Sequence, residues 1–143
     1  MRVLGLDVGE RRIGVALSDP LGLTAQRLTV IERSGDRAAV DAVCALIAKH
    51  QVAAVVVGLP LTMRGTHGPQ AQRVTSFAQA LRRQTPVPVQ MVDERLTTVQ
   101  GERTLLATDT SRRRRKQLID QVAAQLILQQ YLDTHYDAEP KGE

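Results

Sequence analysis

Aromatic residues are almost missing from this chain: one phenylalanine, two tyrosines and no tryptophan occur in 143 residues. A platform that reads single-stranded nucleic acid by stacking needs several exposed rings, so that mode of binding is not expected. Cysteine is equally scarce. Cys44 has no partner for an internal disulfide, and its apolar neighbours at helical spacing suggest a buried, unreactive thiol. No uninterrupted apolar run approaches the length needed to cross a bilayer. The first residues enter a strand-like pattern without the basic stretch and apolar block of a secretory leader. These absences point to a cytoplasmic protein with no membrane partner.

What the chain has in excess is arginine. Sixteen of its 19 basic residues are arginines, against 15 acidic residues. Four of the acids fall in residues 133–143 with one lysine, so the rest of the chain sets eighteen basic residues against eleven acidic ones. A planar guanidinium suits phosphate better than an ammonium does, and a basic body suggests a polyanionic partner. With so few aromatics, backbone and shape should dominate recognition. The length and an apolar fraction of 43% suit one compact domain. Residues 1–135 are expected to form it, with 136–143 as a frayed acidic tail.

Residues 2–8 and 13–18 read as two strands joined by a short turn at Gly9, a hairpin signal. Leu23 to Ile31 alternates well enough for a third strand. Asp36 is placed to cap a helix running to about His50, with Val40, Val43, Cys44 and Ile47 on one face. The apolar run Ala53–Gly58 predicts a fully buried parallel strand. A loop rich in breakers follows over 59–68, and Pro69 opens a second helix ending near Gln84. Val87 to Val92 is the fifth strand. Thr97 or Thr98 would cap a short helix, and Lys116 to Tyr131 form a last long one, with fraying after Asp133. Three strands followed by α-β-α-β-α describe an α/β fold: one mixed sheet, its first three strands antiparallel, with helices on its faces. Functional groups in such sheets gather near the carboxyl ends of the parallel strands.

Four places stand out chemically. Asp7 sits inside an apolar strand, where a carboxylate costs several kcal/mol unless it is paired, protonated or metal-bound. Alternation puts it on one face with Gly5, away from Leu4, Leu6 and Val8. It would alternatively accept hydrogen bonds from the Gly9 turn. Asp93 and Glu94 end the fifth strand, and only one of two adjacent residues can face Asp7; Glu94 has the longer reach. Asp120 shares a helical face with Ala123, Ala124, Ile127 and Tyr131, an odd place for an acid. Its bland alternative is a surface pair with Lys116. Finally, Arg112-Arg113-Arg114-Arg115-Lys116 is either a solvated run or a phosphate clamp one turn before Asp120. Three carboxylates meeting beside a basic entrance would repel one another unless hard divalent cations lay between them. Mg²⁺ or Mn²⁺ suits such a site, and two ions about 4 Å apart would support phosphodiester cleavage.

At these residues the sequence resembles the YqgF/RuvX family, bacterial proteins related to Holliday-junction resolvases within the ribonuclease H-like superfamily. The matching pieces run in order over about residues 2–133: Asp7-Val8-Gly9 with Arg11-Arg12-Ile13-Gly14-Val15-Ala16, then Gly58-Leu59-Pro60-Leu61, then Gly65 with Gly68-Pro69-Gln70-Ala71. They continue with Asp93-Glu94-Arg95-Leu96-Thr97-Thr98 and with Asp120 followed by Ala123-Ala124 and Ile127-Leu128-Gln129. The resemblance implies a five-stranded ribonuclease H-like sheet and a divalent-metal nuclease that processes the 5′ end of precursor 16S ribosomal RNA. Its acidic triad falls on Asp7, Glu94 and Asp120, with Asp93 the adjacent alternative. Thr62, Arg64, His67 and Gly101 depart from the family's usual residues, which leaves the role of the 59–68 loop open.

The expectation is therefore a metal-dependent endonuclease acting on structured RNA, with a ribosomal precursor particle as a further candidate partner. Arg12, Arg95 and the 112–116 run would position the phosphate backbone. Two alternatives share the residues: a resolvase cutting branched DNA as a two-fold homodimer, and a non-catalytic nucleic-acid clamp. An actin-like or sugar-kinase ATPase also carries Asp-x-Gly in its first hairpin. Such enzymes need a second domain to enclose the nucleotide, for which 143 residues leave no room.

Overall fold

In a computed structural model the described residues are 1–60, 65, 67–94 and 112–136, the last segment with side chains from 118 to 135. The elements in chain order are β1 (Arg2–Val8), β2 (Arg12–Ser18), β3 (Ala25–Glu32), α1 (Asp36–His50), β4 (Val52–Leu59), α2 (Pro69–Gln84), β5 (Val89–Asp93) and α3 (Arg112–Tyr136). They build one five-stranded sheet of order β3-β2-β1-β4-β5. The β1–β2 and β2–β3 pairs are antiparallel, and β1–β4 and β4–β5 are parallel. The mixed sheet with antiparallel first strands is thus the one expected.

Alternation along the strands splits the core in two. Leu4, Leu6, Ile13, Val15, Val55 and Val57 face α1 and α2, where Phe77 is fully buried. On the opposite face Val3, Ala16 and Val56 meet Ala123, Ala124 and Ile127 of α3. That second face is built from small residues, so α3 lies close against the strands. A Cβ at Gly14 would stand 1.9 Å from the Asp120 carbonyl oxygen, and one at Gly5 would stand 2.7 Å from Leu128 Cβ. Two glutamines of α3 secure the docking: Gln125 Nε2 donates to the Ala25 carbonyl at 3.0 Å, and Gln129 Oε1 accepts the Ala25 N–H at 2.9 Å.

Boundaries differ from the sequence pattern where a side chain or a missing donor intervenes. β3 starts at Ala25 rather than Leu23, because the Leu23 and Thr24 N–H groups are donated to the Asp19 carboxylate at 2.7 and 2.9 Å. Those bonds, Thr24's foremost, hold the Asp19 carboxyl below its usual range against a weaker opposing effect of desolvation. β5 starts at Val89, since Pro88 has no N–H and contributes only its carbonyl, which accepts Val55 N–H at 2.8 Å. Gly35, not Asp36, holds the cap position of α1, and it makes no side-chain cap bond. Asp36 lies in the first turn and is ion-paired with Arg33. α3 is longer than expected at both ends: it takes in the whole basic run and continues past Asp133 to Tyr136. Cys44 is half-buried rather than buried. Desolvation, then the nearby Asp41 charge, pushes its thiol pKa up, consistent with low reactivity. The short helix expected after Thr97 or Thr98, and residues 137–143 of the tail, lie outside the described residues. Among the described residues no helix is long and apolar enough to cross a membrane.

Gly14→Ala should cost about 3 kcal/mol or more, the upper end for overpacking, because its methyl meets main chain rather than a pliable side chain. A urea titration of the variant checks this. Gly35→Ser, with nothing within 4 Å of its Cβ and a better cap side chain, should be neutral or stabilising.

Candidate active site

Asp7 lies near the carboxyl end of the central strand β1, opposite Gly14 of β2, and is only 5% exposed. Glu94 follows directly on β5 and is 6% exposed. Asp120 lies just over two turns into α3. These three carboxylates come from segments far apart in sequence, yet they border one cavity of about 420 Å³ together with Gly9, Pro60 and Gln70. The cavity opens at the carboxyl ends of the parallel strands, where crevices of open α/β sheets form. Asp93 is not among its lining residues.

Strand order alone would separate Asp7 from Glu94, because β4 runs between β1 and β5. Gly58 removes that obstacle. Leu6 of β1 pairs with Val57 of β4, so the next residues along, Asp7 and Gly58, lie side by side. Glu94 folds over the same glycine: a Cβ there would stand 3.0 Å from Glu94 Oε2 and 3.1 Å from its Cγ. Gly14 plays the matching role under α3, admitting the Asp120 main chain.

The hairpin beside Asp7 is tightly closed. Gly9 N–H donates to the Arg12 carbonyl at 2.8 Å, which closes the turn. Arg33, whose side chain is 8% exposed, donates from Nη1 to the Gly9 carbonyl at 2.7 Å, and its guanidinium lies 5.6 Å from the Phe77 ring centroid. Arg12 donates from Nε to Asp120 Oδ2 at 2.8 Å, an ion pair between part-buried side chains. Among the described residues Asp120 thus pairs with Arg12, a residue 108 positions away; the side chain of Lys116, the partner expected from the sequence, lies outside the described residues.

An all-oxygen donor set of carboxylates suits hard cations such as Mg²⁺ or Mn²⁺. The three acids surround the cavity without closing into a ready-made cluster of three ligands among the described residues. An ion held there would therefore draw further oxygens from water or phosphate, as Mg²⁺ commonly does. Arg95 lies outside the described residues. The backbone of Arg112, Arg113, Arg114, Arg115 and Lys116 forms the start of α3, but their side chains are likewise outside the described set.

Three contributors carry little or no signal in the sequence pattern. Arg33 works through a carbonyl 24 residues earlier, which periodicity cannot reveal. Gln70 looks like any polar residue in the first turn of a helix. Gly58 does leave a trace, as a lone glycine after the β-branched run Val55-Val56-Val57. Gly58→Ala would crowd Ile127 Cδ1, 2.5 Å from the added Cβ, as well as Glu94, and displacement of the Glu94 side chain should weaken Mn²⁺ binding about tenfold, in line with other residues that orient a ligand. Isothermal titration of the purified variant, with a thermal melt to establish folding, checks this.

Known proteins match this sequence over nearly the whole chain. The family model RuvX, Holliday junction resolvase, matches residues 1–134. A protein of Moorella thermoacetica named "Putative pre-16S rRNA nuclease" is 56% identical over 133 residues, covering 93% of this chain and 95% of that protein. A Myxococcus xanthus protein of the same name is 48% identical and covers 98% and 100%. Among solved structures, RuvC of Thermus thermophilus in complex with a Holliday junction substrate superposes with a TM-score of 0.61 at 16% identity, covering 96% of each chain. The fowlpox virus resolvase bound to Holliday junction DNA gives 0.53 at 12% identity, covering 94% of this chain and 98% of its own. These two share the fold. On the full-length family match and the 56% identical relative, this chain belongs to the RuvX family of resolvase-related nucleases.

Proposed function

We propose that the protein is a divalent-metal-dependent endonuclease that cleaves structured RNA, trimming the 5′ end of precursor 16S ribosomal RNA. The observation that carries this reading is the meeting of Asp7, Glu94 and Asp120 around one cavity at the carboxyl ends of β1, β4 and β5. The relatives' name supports the RNA substrate. In this reading Asp7, Glu94 and Asp120 hold Mg²⁺ or Mn²⁺. Bound there, the cation supplies activation of water and neutralisation of charge on the reacting phosphate.

The rest falls to the chain's own residues. Arg95 and the 112–116 run grip the phosphate backbone. Four arginines and a lysine open α3, which has no acid in its first turn. Cations at a helix's positive end are unfavourable by about 0.3–1 kcal/mol each at exposed positions, and a bound polyanion relieves that. The run ends one turn before Asp120, so a backbone held there passes the cavity. The scarcity of aromatics fits recognition by backbone and shape. The protein works in the cytoplasm, as a monomer or homodimer, on free RNA or within a ribosomal precursor particle.

Family and fold also favour a second reading, cleavage of branched DNA by the same site. Matched precursor-RNA and four-way DNA substrates, with mass by light scattering, separate the two. RNA cleavage is expected from the first, and symmetric cutting by a two-fold dimer from the second. Asp7→Asn should reduce cleavage to background while leaving the thermal melt and nucleic-acid binding largely intact. A fully active Asp7→Asn protein at saturating Mg²⁺ would remove Asp7 from the mechanism.

A further inference from the structure

Arg12 invites a phosphate-binding role by its charge, yet its guanidinium is engaged with Asp120. The contact is direct, Nε to Oδ2 at 2.8 Å, and joins side chains that are 24% and 17% exposed. Asp120 borders the cavity shared with Asp7 and Glu94, whereas Arg12 is not among the residues lining it. We propose that Arg12 is a positioning residue for the candidate metal site, holding the Asp120 carboxylate in the orientation in which it faces Asp7 and Glu94. The inference rests on reading that cavity as a divalent-cation site.

Two features make Arg12 suited to the task. The first is that its main chain is itself fixed. It is paired with Glu32 on β3, its carbonyl accepts the Gly9 N–H at 2.8 Å, and Arg33 holds Gly9 in turn at 2.7 Å. The second is that Arg12 and Gly14 alternate onto the same face of β2, the face that Ala16 presents to α3. Gly14 receives the Asp120 main chain, with the carbonyl oxygen 1.9 Å from where its Cβ would be. Arg12 receives the Asp120 side chain. One stretch of β2 thus fixes both the position and the direction of a single carboxylate. A guanidinium remains charged at every physiological pH, so it also offsets the repulsion among three acids before any cation arrives. Ligating carboxylates in metal sites are commonly held by such outer partners, and loss of one weakens metal binding about 10- to 100-fold.

A phosphate-contact role predicts something different. Loss of a phosphate contact lowers nucleic-acid affinity and its salt dependence, and it leaves metal binding to the free protein unchanged. The test is Mn²⁺ titration calorimetry on the full chain without nucleic acid, for wild type, Arg12→Gln, Arg12→Lys and Asp120→Asn, each also melted in EDTA. We expect Arg12→Gln to bind Mn²⁺ about 10- to 100-fold more weakly. Arg12→Lys, which keeps the charge but not the planar fork, should fall between it and wild type. If Arg12→Gln does not fold, Arg12→Lys decides alone. Wild-type Mn²⁺ affinity in a folded Arg12 variant, alongside weakened binding by Asp120→Asn, overturns the role of Arg12 and leaves the metal site standing. Wild-type affinity in Asp120→Asn instead removes Asp120 from the metal site, and the proposal falls with it.

Discussion

The backbone of α3 lies against the sheet at distances that side chains would forbid, and the candidate site inherits its geometry from that contact. Gly14 and Gly5 admit the Asp120 carbonyl and Leu128, while Ala16, Ala123 and Ala124 keep the rest of the interface thin. A larger residue at any of these positions would lift the helix, and Asp120 with it. The same device recurs on β4, where Gly58 lets Glu94 cross toward β1. Small residues here do not weaken the core by leaving voids; they replace side-chain packing with close approach of backbones.

Charge compensation is the second condition. Asp7 and Glu94 are almost fully buried, and desolvating a carboxylate is expensive. Arg12 brings one positive charge to Asp120, and Arg33 closes the Gly9 turn at the edge of the cavity. Both arginines belong to the hairpin and edge-strand region, on the side away from β5. The acids converge from both halves of the sheet. Three acids thus line the cavity while the chain as a whole is basic.

Similarity to RuvC and to the poxvirus resolvase reaches across nearly the whole chain at 16% and 12% identity. At that distance it establishes a fold and no substrate, since one fold hosts many chemistries. The close relatives carry the family assignment. What distinguishes one phosphodiester substrate from another must lie in the surfaces around the cavity.

The order and type of the described elements were legible from hydrophobic period and breaker residues: alternating strands, one apolar run for the buried strand Val52–Leu59, and helices opened by Pro69 and closed near His50 and Gln84. Asp7, Glu94 and Asp120 stood out as acids in apolar settings, and small residues at 123 and 124 hinted at close helix–sheet contact. The strand starts at Ala25 and Val89 were not legible, because they depend on side-chain bonds and on a proline carbonyl paired across the sheet. Nor were the partnership of Arg12 with Asp120, the clasp of Arg33 on Gly9, or the cradle that Gly58 makes for Glu94. Local pattern records which face a residue takes and how long its element runs. Which residues meet across 24 or 108 positions is fixed only when strands choose neighbours and a helix settles on the sheet, since pairing energy acts between surfaces that the linear chain does not yet have.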